Sequence, residues 1–322
     1  MFLSKTSPFA MMKKNRLGGC PMDLFTKIQK PLISGFSLPV YEKAFRKAYE
    51  ETFAYLPRPQ TIYDISTSFG EVRVYLFVKE GLKTKPPLVL LHGHYASSIM
   101  WQPNLYAFME KGPVYAVDLL GEPGKSIQRK PILKEAHRAL WLLEVLQKLQ
   151  LKKVIFIGSS LGGYTAANFA RFYPDKVLAL ILLDPVFVFS YVSLATVGEF
   201  FRMGFDKDKM IPFLLHRQDF PLKNTLGKTI TLGLAHYRFR IPMPRQLSQR
   251  ALKKLTMPVL AILAGKSRLQ DPYKAASYGR RHLENLEMEV WAEASHAMSF
   301  ENNEEVEQRV HLFLQNHNQS TS

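Results

Sequence analysis

The sequence predicts an α/β domain with a mostly parallel central sheet, flanked by helices and carrying a helical cap insertion. Three observations predict it. Short runs that are apolar throughout, at residues 87–91, 114–117, 154–157, 177–183 and 258–263, alternate with helical stretches. Strands buried on both faces of a parallel sheet read this way. Polar residues capable of chemistry follow the carboxyl ends of these runs, where functional groups gather on such sheets. From Phe187 to Lys254 strand alternation is lost, Met and Phe are frequent, and twelve Lys/Arg stand against four Asp/Glu.

Taken in order, residues 1–21 read as a disordered extension. Met1-Phe2-Leu3 is followed by Lys5, and Phe9-Ala10-Met11-Met12 is too short for a signal core. Tyr41, Phe45, Tyr49 and Phe53 recur every four residues with charges opposite them, which predicts an amphipathic helix stopped by Pro57 and Pro59. Two strands follow, 61–66 and 72–78, joined by a turn at Phe69-Gly70-Glu71. The buried strand 87–91 ends in His92-Gly93-His94, and the strand 114–118 opens into a loop from Leu119 to Ser126. Gly124-Lys125-Ser126 imitates the end of a phosphate loop, but that motif needs glycine at 119, where leucine stands. A helix at 134–149, a strand from Val154, a helix ending near Phe172 and a strand at 177–183 complete the first part of the core, residues 22–186. The cap, residues 187–254, is broken by Pro212, Pro221, Pro242 and Pro244. The core resumes over 255–322 with a strand at 258–263, a helix at 272–283, a strand at 287–291 and a helix at 304–314.

Composition narrows the function classes. The net charge of +16 raises the question of nucleic acid. The cations are spread along the chain, however, and no basic run interleaved with aromatics appears, so nucleic acid is not expected as a partner. No apolar run approaches the roughly eighteen residues that a membrane span needs. The single cysteine, Cys20, excludes an internal disulfide framework and suits a reducing, cytoplasmic setting. Oligomeric state leaves no mark in the sequence.

The most informative stretch is Val154-Ile155-Phe156-Ile157-Gly158-Ser159-Ser160-Leu161-Gly162-Gly163. An apolar strand meets a Gly-x-Ser-x-Gly pentapeptide, and small residues suited to a helix follow at once. That is the context of a nucleophile elbow, whose sharp turn lifts the serine hydroxyl above the sheet. Crowding at such a turn explains glycine at 158 and 162. The helix opening after Ser160 offers free N–H groups and the positive end of its dipole.

With this elbow, His92-Gly93, the Asp118–Ser126 loop and a late His296 in order, the chain resembles the α/β-hydrolase superfamily. It is most similar to small bacterial serine carboxylesterases with a helical cap, over about residues 41–314. The resemblance implies Ser160 as nucleophile, His296 as general base, and oxyanion-hole N–H groups from His94 and Leu161. It implies a small-molecule acyl ester as substrate and no cofactor. Trp101, Ser159, Phe187, Phe200, Phe201 and Met203 are expected to line the substrate pocket, with Phe205, Met210 and Phe213 in the same apolar cap. The same residues would also serve amide, thioester or carbon–carbon bond cleavage, or a silent fold that binds a ligand. His92 and His94 lack a third ligand in the pattern, so no metal site is expected.

The acid departs from the family pattern. Members of the superfamily usually carry Asp or Glu two or three residues after the glycine ending the penultimate core strand, but Ser267 and Arg268 occupy those positions here. Asp184, ending the strand after the elbow helix, and Asp271, further along the Arg268 loop, are the candidates. Asp184 is favoured, because a strand terminus holds a carboxylate more rigidly than a lengthened loop. Asp118 reads as structural, a strand-end carboxylate tying down the Gly121–Gly124 loop.

Overall fold

The computed structural model describes residues 32–203, 209, 213 and 225–318. The expectations for residues 1–21, for Phe205 and Met210, and for the Phe200 side chain lie outside this description. The expected mostly parallel sheet is present. Its strands are β2 (Thr61–Thr67), β3 (Gly70–Phe77), β4 (Leu88–Leu91), β5 (Val114–Val117), β6 (Ile127–Gln128), β7 (Val154–Ser159), β8 (Val177–Leu183), β10 (Val259–Ala264) and β11 (Leu286–Trp291). Across the sheet they run β11-β10-β8-β7-β4-β5-β3-β2, with β6 paired beside β3. All pairings from β11 to β5 are parallel, while β3 is antiparallel to β5, β2 and β6. Strands β4, β7 and β10 are buried at every position. Their unbroken apolar runs are what a sheet covered on both faces requires.

Residues alternating along these strands feed two core layers. One face packs Val89, Leu91, Phe156, Leu180 and Leu182 against Trp141, Leu142, Ala166 and Phe169. These last belong to α3 (Glu135–Lys148) and α4 (Leu161–Phe172). The other face packs Leu88, Leu90, Ile155, Ile157 and Ile181 against Phe45 and Tyr49 of α1 (Pro39–Phe53), and against Val306, Val310 and Phe313 of α10 (Asn303–Asn318). The four-residue aromatic spacing of α1 thus serves as a core stripe.

Some elements carry no period and went unforeseen. They include α2 (Leu105–Met109), α9 (Met298–Glu301), the bridge β6, and the separate ribbon of β1 (Gly35–Phe36) with β9 (Tyr237–Arg238). Between β8 and β10 stand α5 (Leu194–Arg202), α6 (Thr225–His236) and α7 (Gln249–Leu252). The two ends of the expected cap insertion are built into the core instead. Phe187, Val188 and Phe189 at one end and Leu247, Ala251 and Leu252 at the other are all buried in the first layer. The remaining helix, α8 (Pro272–His282), lies between β10 and β11 in the chain.

Candidate active site

Ser160 sits between β7 and α4 in a backbone conformation of φ 53° and ψ −117°. Non-glycine residues rarely adopt positive φ, and such strain persists only where the surroundings impose it. The surroundings here are packed backbone. A methyl group on Gly162 would stand 2.0 Å from the Leu91 carbonyl oxygen, and one on Gly158 would stand 2.5 Å from the Gly162 oxygen. Both glycines are therefore demanded by the closeness of α4 to β4 and β7. The Ser160 N–H donates to Leu183 O at 2.9 Å, tying the turn to the end of β8.

Three distant side chains meet at this turn. His296, on the loop after β11, brings Nε2 to 2.9 Å from Ser160 Oγ. Its Nδ1 lies 2.5 Å from Asp184 Oδ2. Asp184 is fully buried at the end of β8, with φ 38°. Its other oxygen accepts from Gln270 Nε2 at 3.0 Å and from the Ala264 N–H at 3.3 Å. Burial alone would push the Asp184 carboxyl up; the hydrogen bond and charge of His296 outweigh this and hold it below the ordinary carboxylate value. Asp184 is thus ionised at neutral pH, and His296 must place its proton on Nδ1 to bond it. That leaves Nε2 as an acceptor facing the serine hydroxyl.

Asp271 is engaged elsewhere. It caps α8, accepting from the Tyr273 and Lys274 N–H groups at 3.1 and 3.0 Å. The structure therefore brings Asp184, and not Asp271, to His296.

The turn after β4 lies directly over Ser160, close enough that a methyl on Gly93 would stand 3.5 Å from Ser160 Cβ. His92 holds this turn. Its Nε2 accepts from the Leu119 N–H at 2.9 Å, so its Nδ1 carries the proton and donates to Gly93 O at 2.8 Å. Full burial lowers the His92 pKa and keeps the ring neutral. With both ring nitrogens engaged, His92 has no lone pair to offer a metal. His94 follows in the chain, its Nδ1 2.8 Å from Glu122 Oε1. Leu161 opens α4, where the first N–H groups have no partner within the helix.

The expected pocket residues scatter. Trp101 is a correction: it is fully buried in the second core layer near Phe108, so it offers no surface to a substrate. Phe187 likewise packs into the core, edge-on to Tyr164 of α4. Ser159 is buried at the end of β7, beside Ser160. Phe201 is exposed on α5, and Met203 is its half-buried C-cap. The Arg268 guanidinium lies 4.6 Å over the Phe213 ring. A small hollow is lined by Leu119, Leu120, Glu122, Leu161 and Phe239 among others. Two residues the sequence reading missed are Gln270 and Glu122, both buried and both hydrogen-bonded into this region.

Asp118 has the structural place expected of it. Its carboxylate accepts from the Lys125 N–H at 2.7 Å, the Ser98 N–H at 2.8 Å and the Tyr49 hydroxyl at 3.0 Å.

A family model described as the alpha/beta hydrolase family matches residues 88–309. The chain belongs to the α/β-hydrolase family. Among curated hydrolases, the uncharacterized carboxylesterase nap of Bacillus subtilis is 28% identical, over 84% of this chain and 92% of its own. Carboxylesterase YbfK of the same organism is 26% identical, over 84% and 93%. The solved structure of naproxen esterase (carboxylesterase NP) from B. subtilis superposes with a TM-score of 0.77 at 28% identity, covering 86% of this chain and 99% of that one. That of carboxylesterase CesB (YbfK) gives 0.79 at 25% identity, covering 85% and 98%. Within this α/β-hydrolase, no helix of the described residues is long and apolar enough to cross a membrane.

Proposed function

We propose that this α/β-hydrolase is a serine carboxylesterase acting on small to medium acyl esters, with Ser160, His296 and Asp184 as its catalytic triad. The observation that carries the reading is the unbroken relay from Ser160 Oγ through the His296 ring to Asp184, assembled from three separate stretches of chain. The likeness to carboxylesterases along most of their length supports the choice of ester over other acyl substrates.

In the proposed mechanism the turn at Ser160 is a nucleophile elbow. Asp184 holds His296 in the tautomer whose Nε2 can take the serine proton. The hydroxyl oxygen then attacks the ester carbonyl, and the charge on the tetrahedral oxygen is received by the His94 and Leu161 N–H groups. Imidazolium forms next to a buried carboxylate, which stabilises it in a medium of low dielectric. His296 returns the proton to the departing alcohol. A water molecule, deprotonated by the same imidazole, releases the acid and restores Ser160. Of the described residues, α5 and α6 are assigned to the cap over the acyl group. A reducing, cytoplasmic setting belongs to the proposal and rests on the single cysteine.

A fluorophosphonate probe tests the reading. Wild-type protein should be labelled and should hydrolyse p-nitrophenyl esters, with a preference set by acyl length, while Ser160→Ala should do neither. Wild type that neither labels nor turns over would make this a silent fold.

A further inference from the structure

Glu122 is a buried acid that the relay does not use, only 3% exposed on the loop leaving β5. A carboxylate taken out of water is costly unless its oxygens are hydrogen-bonded. Both oxygens here are bonded to consecutive residues of one turn. Oε1 meets His94 Nδ1 at 2.8 Å, and Oε2 accepts the Tyr95 N–H at 3.0 Å. That is the turn whose His94 N–H is assigned to the oxyanion.

The turn needs such a hold. Tyr95 has φ 57°, a left-handed conformation that costs a non-glycine residue on the order of 1–3 kcal/mol. Within the turn, the Ala96 N–H to Gly93 O bond is long at 3.3 Å. The His92 bonds reach Gly93 and Leu119 but not Tyr95. Glu122 supplies a fixed point for Tyr95. Its own loop is closed by its N–H to Leu119 O at 3.1 Å and anchored through Asp118. The His94 ring, gripped by the carboxylate, is further confined by Tyr95 at 3.9 Å and Phe239 at 4.6 Å. Glu122 also lines the hollow that Leu161, the source of the second oxyanion N–H, lines from α4.

We infer that Glu122 is a positioning residue for the oxyanion hole: it clamps His94 and Tyr95 so that the His94 N–H faces the position where negative charge develops. The inference rests on the serine-hydrolase reading above. An oxyanion donor acts in the transition state and hardly at all on bound substrate, so loss of the clamp should appear in kcat and not in KM. Glutamine at this position keeps the volume and can still accept from the Tyr95 N–H, but it loses the charge and its NH2 can meet His94 Nδ1 only if the ring reverses its tautomer, so both bonds of the clamp weaken.

The test measures kcat and KM on p-nitrophenyl butyrate for wild type, Glu122→Gln and Glu122→Ala, with inhibition by an aryl trifluoromethyl ketone, which forms a tetrahedral adduct with serine. Glu122→Gln should lower kcat about tenfold and Glu122→Ala about a hundredfold, with KM inside about threefold. Ketone affinity should fall by the same factor as kcat/KM, a change that a merely structural role would not produce. A Glu122→Gln enzyme with wild-type kcat, a loss confined to KM, or unchanged ketone affinity would overturn the inference. Should Glu122→Ala fail to fold, Glu122→Gln decides alone. The two readings fail differently. Wild type unlabelled by fluorophosphonate defeats the hydrolase proposal, whereas labelled, active wild type beside unaffected Glu122 variants defeats only the clamp.

Discussion

Replacing Asp184 with asparagine changes one oxygen to an amide nitrogen and leaves the shape of the side chain intact. Two orientations are open to the amide. In the first, its oxygen keeps the bonds from Gln270 Nε2 and the Ala264 N–H, and its NH2 faces His296 Nδ1. The imidazole then accepts at Nδ1 and carries its proton on Nε2, pointing at Ser160, where it cannot take another. In the second, the oxygen faces His296 and preserves the tautomer, but the NH2 confronts two buried donors. Each mismatch of that kind costs about 1–3 kcal/mol, so the first orientation wins by roughly 2–6 kcal/mol. The wrong tautomer in a Ser-His-Asp triad lowers kcat about 10⁴-fold, equivalent to about 5.4 kcal/mol of transition-state stabilisation. The assay is kcat on a p-nitrophenyl ester across a range of concentrations, with circular dichroism to show that the variant is folded. Asp271→Asn is the control, since asparagine caps helices as well as aspartate and should leave kcat unchanged. An Asp184→Asn enzyme within tenfold of wild type, or an Asp271→Asn enzyme losing as much, would refute the reasoning.

The packed backbone around the serine turn makes Gly162→Ala destabilising by more than about 3 kcal/mol, because the added methyl meets the Leu91 carbonyl oxygen; a urea midpoint equal to wild type would contradict this. Tyr49→Phe leaves the buried Asp118 carboxylate without one donor and should lower stability by about 1.5–3 kcal/mol, read as a shift in the same midpoint. His92 is held neutral by burial, so its folded pKa lies below its unfolded value of about 6.5. The unfolded chain then binds the extra proton, and stability falls as pH drops below about 6.5. The loss of urea midpoint between pH 7 and pH 5 should be smaller in His92→Gln than in wild type; equal slopes would exclude His92 as a source. For Asp184 the sign is the same and the cause differs, a partner favouring the charged form in place of burial favouring the neutral one. Its folded pKa is depressed, so its contribution is present above the unfolded value of about 3.9 and is lost as pH falls through the folded one. Acid unfolding of Asp184→Asn should lack that component.

How legible the site was depended on the kind of signal each residue leaves. Ser160 and His296 stand out as candidates because an apolar strand, two sterically demanded glycines and a histidine after the last strand are local patterns with local causes. Rigidity at a strand end favours Asp184 over Asp271 as the candidate acid; in the fold Asp184 meets His296 while Asp271 caps a helix. In sequence Trp101 looks like a pocket wall, an aromatic close to a His-Gly turn, whereas in the fold it is core. Its neighbours Ile99, Met100, Leu105 and Phe108 are fully or almost fully buried, which marks the stretch as core. Phe187 has a related cause: strand alternation stops before it, while the chain stays in the core until Phe189. Glu122 and Gln270 leave no pattern at all. Each acts on a residue far away in sequence, and only the folded contact reveals it.

The position of the proposed acid follows from a division of labour between two neighbouring strand ends. The imidazole requires a negative charge at Nδ1 and is indifferent to which strand supplies it. In this chain the loop after β10 is committed to another task. The Arg268 carbonyl accepts from the Thr196 hydroxyl, the Leu269 carbonyl from the Ser193 N–H at 2.8 Å, and the Arg268 side chain reaches Phe213. These contacts tie the start of α5 to the sheet. A carboxylate on the same loop would face two competing demands, to turn inward to the histidine and to follow whatever the segment above it does. Asp184 escapes that conflict, because the end of β8 is fixed by its N–H to Ile262 O at 2.7 Å and its other oxygen is held by Gln270. Gln270 is the loop's remaining contribution to the relay, a neutral donor that steadies the acid without adding charge beside it.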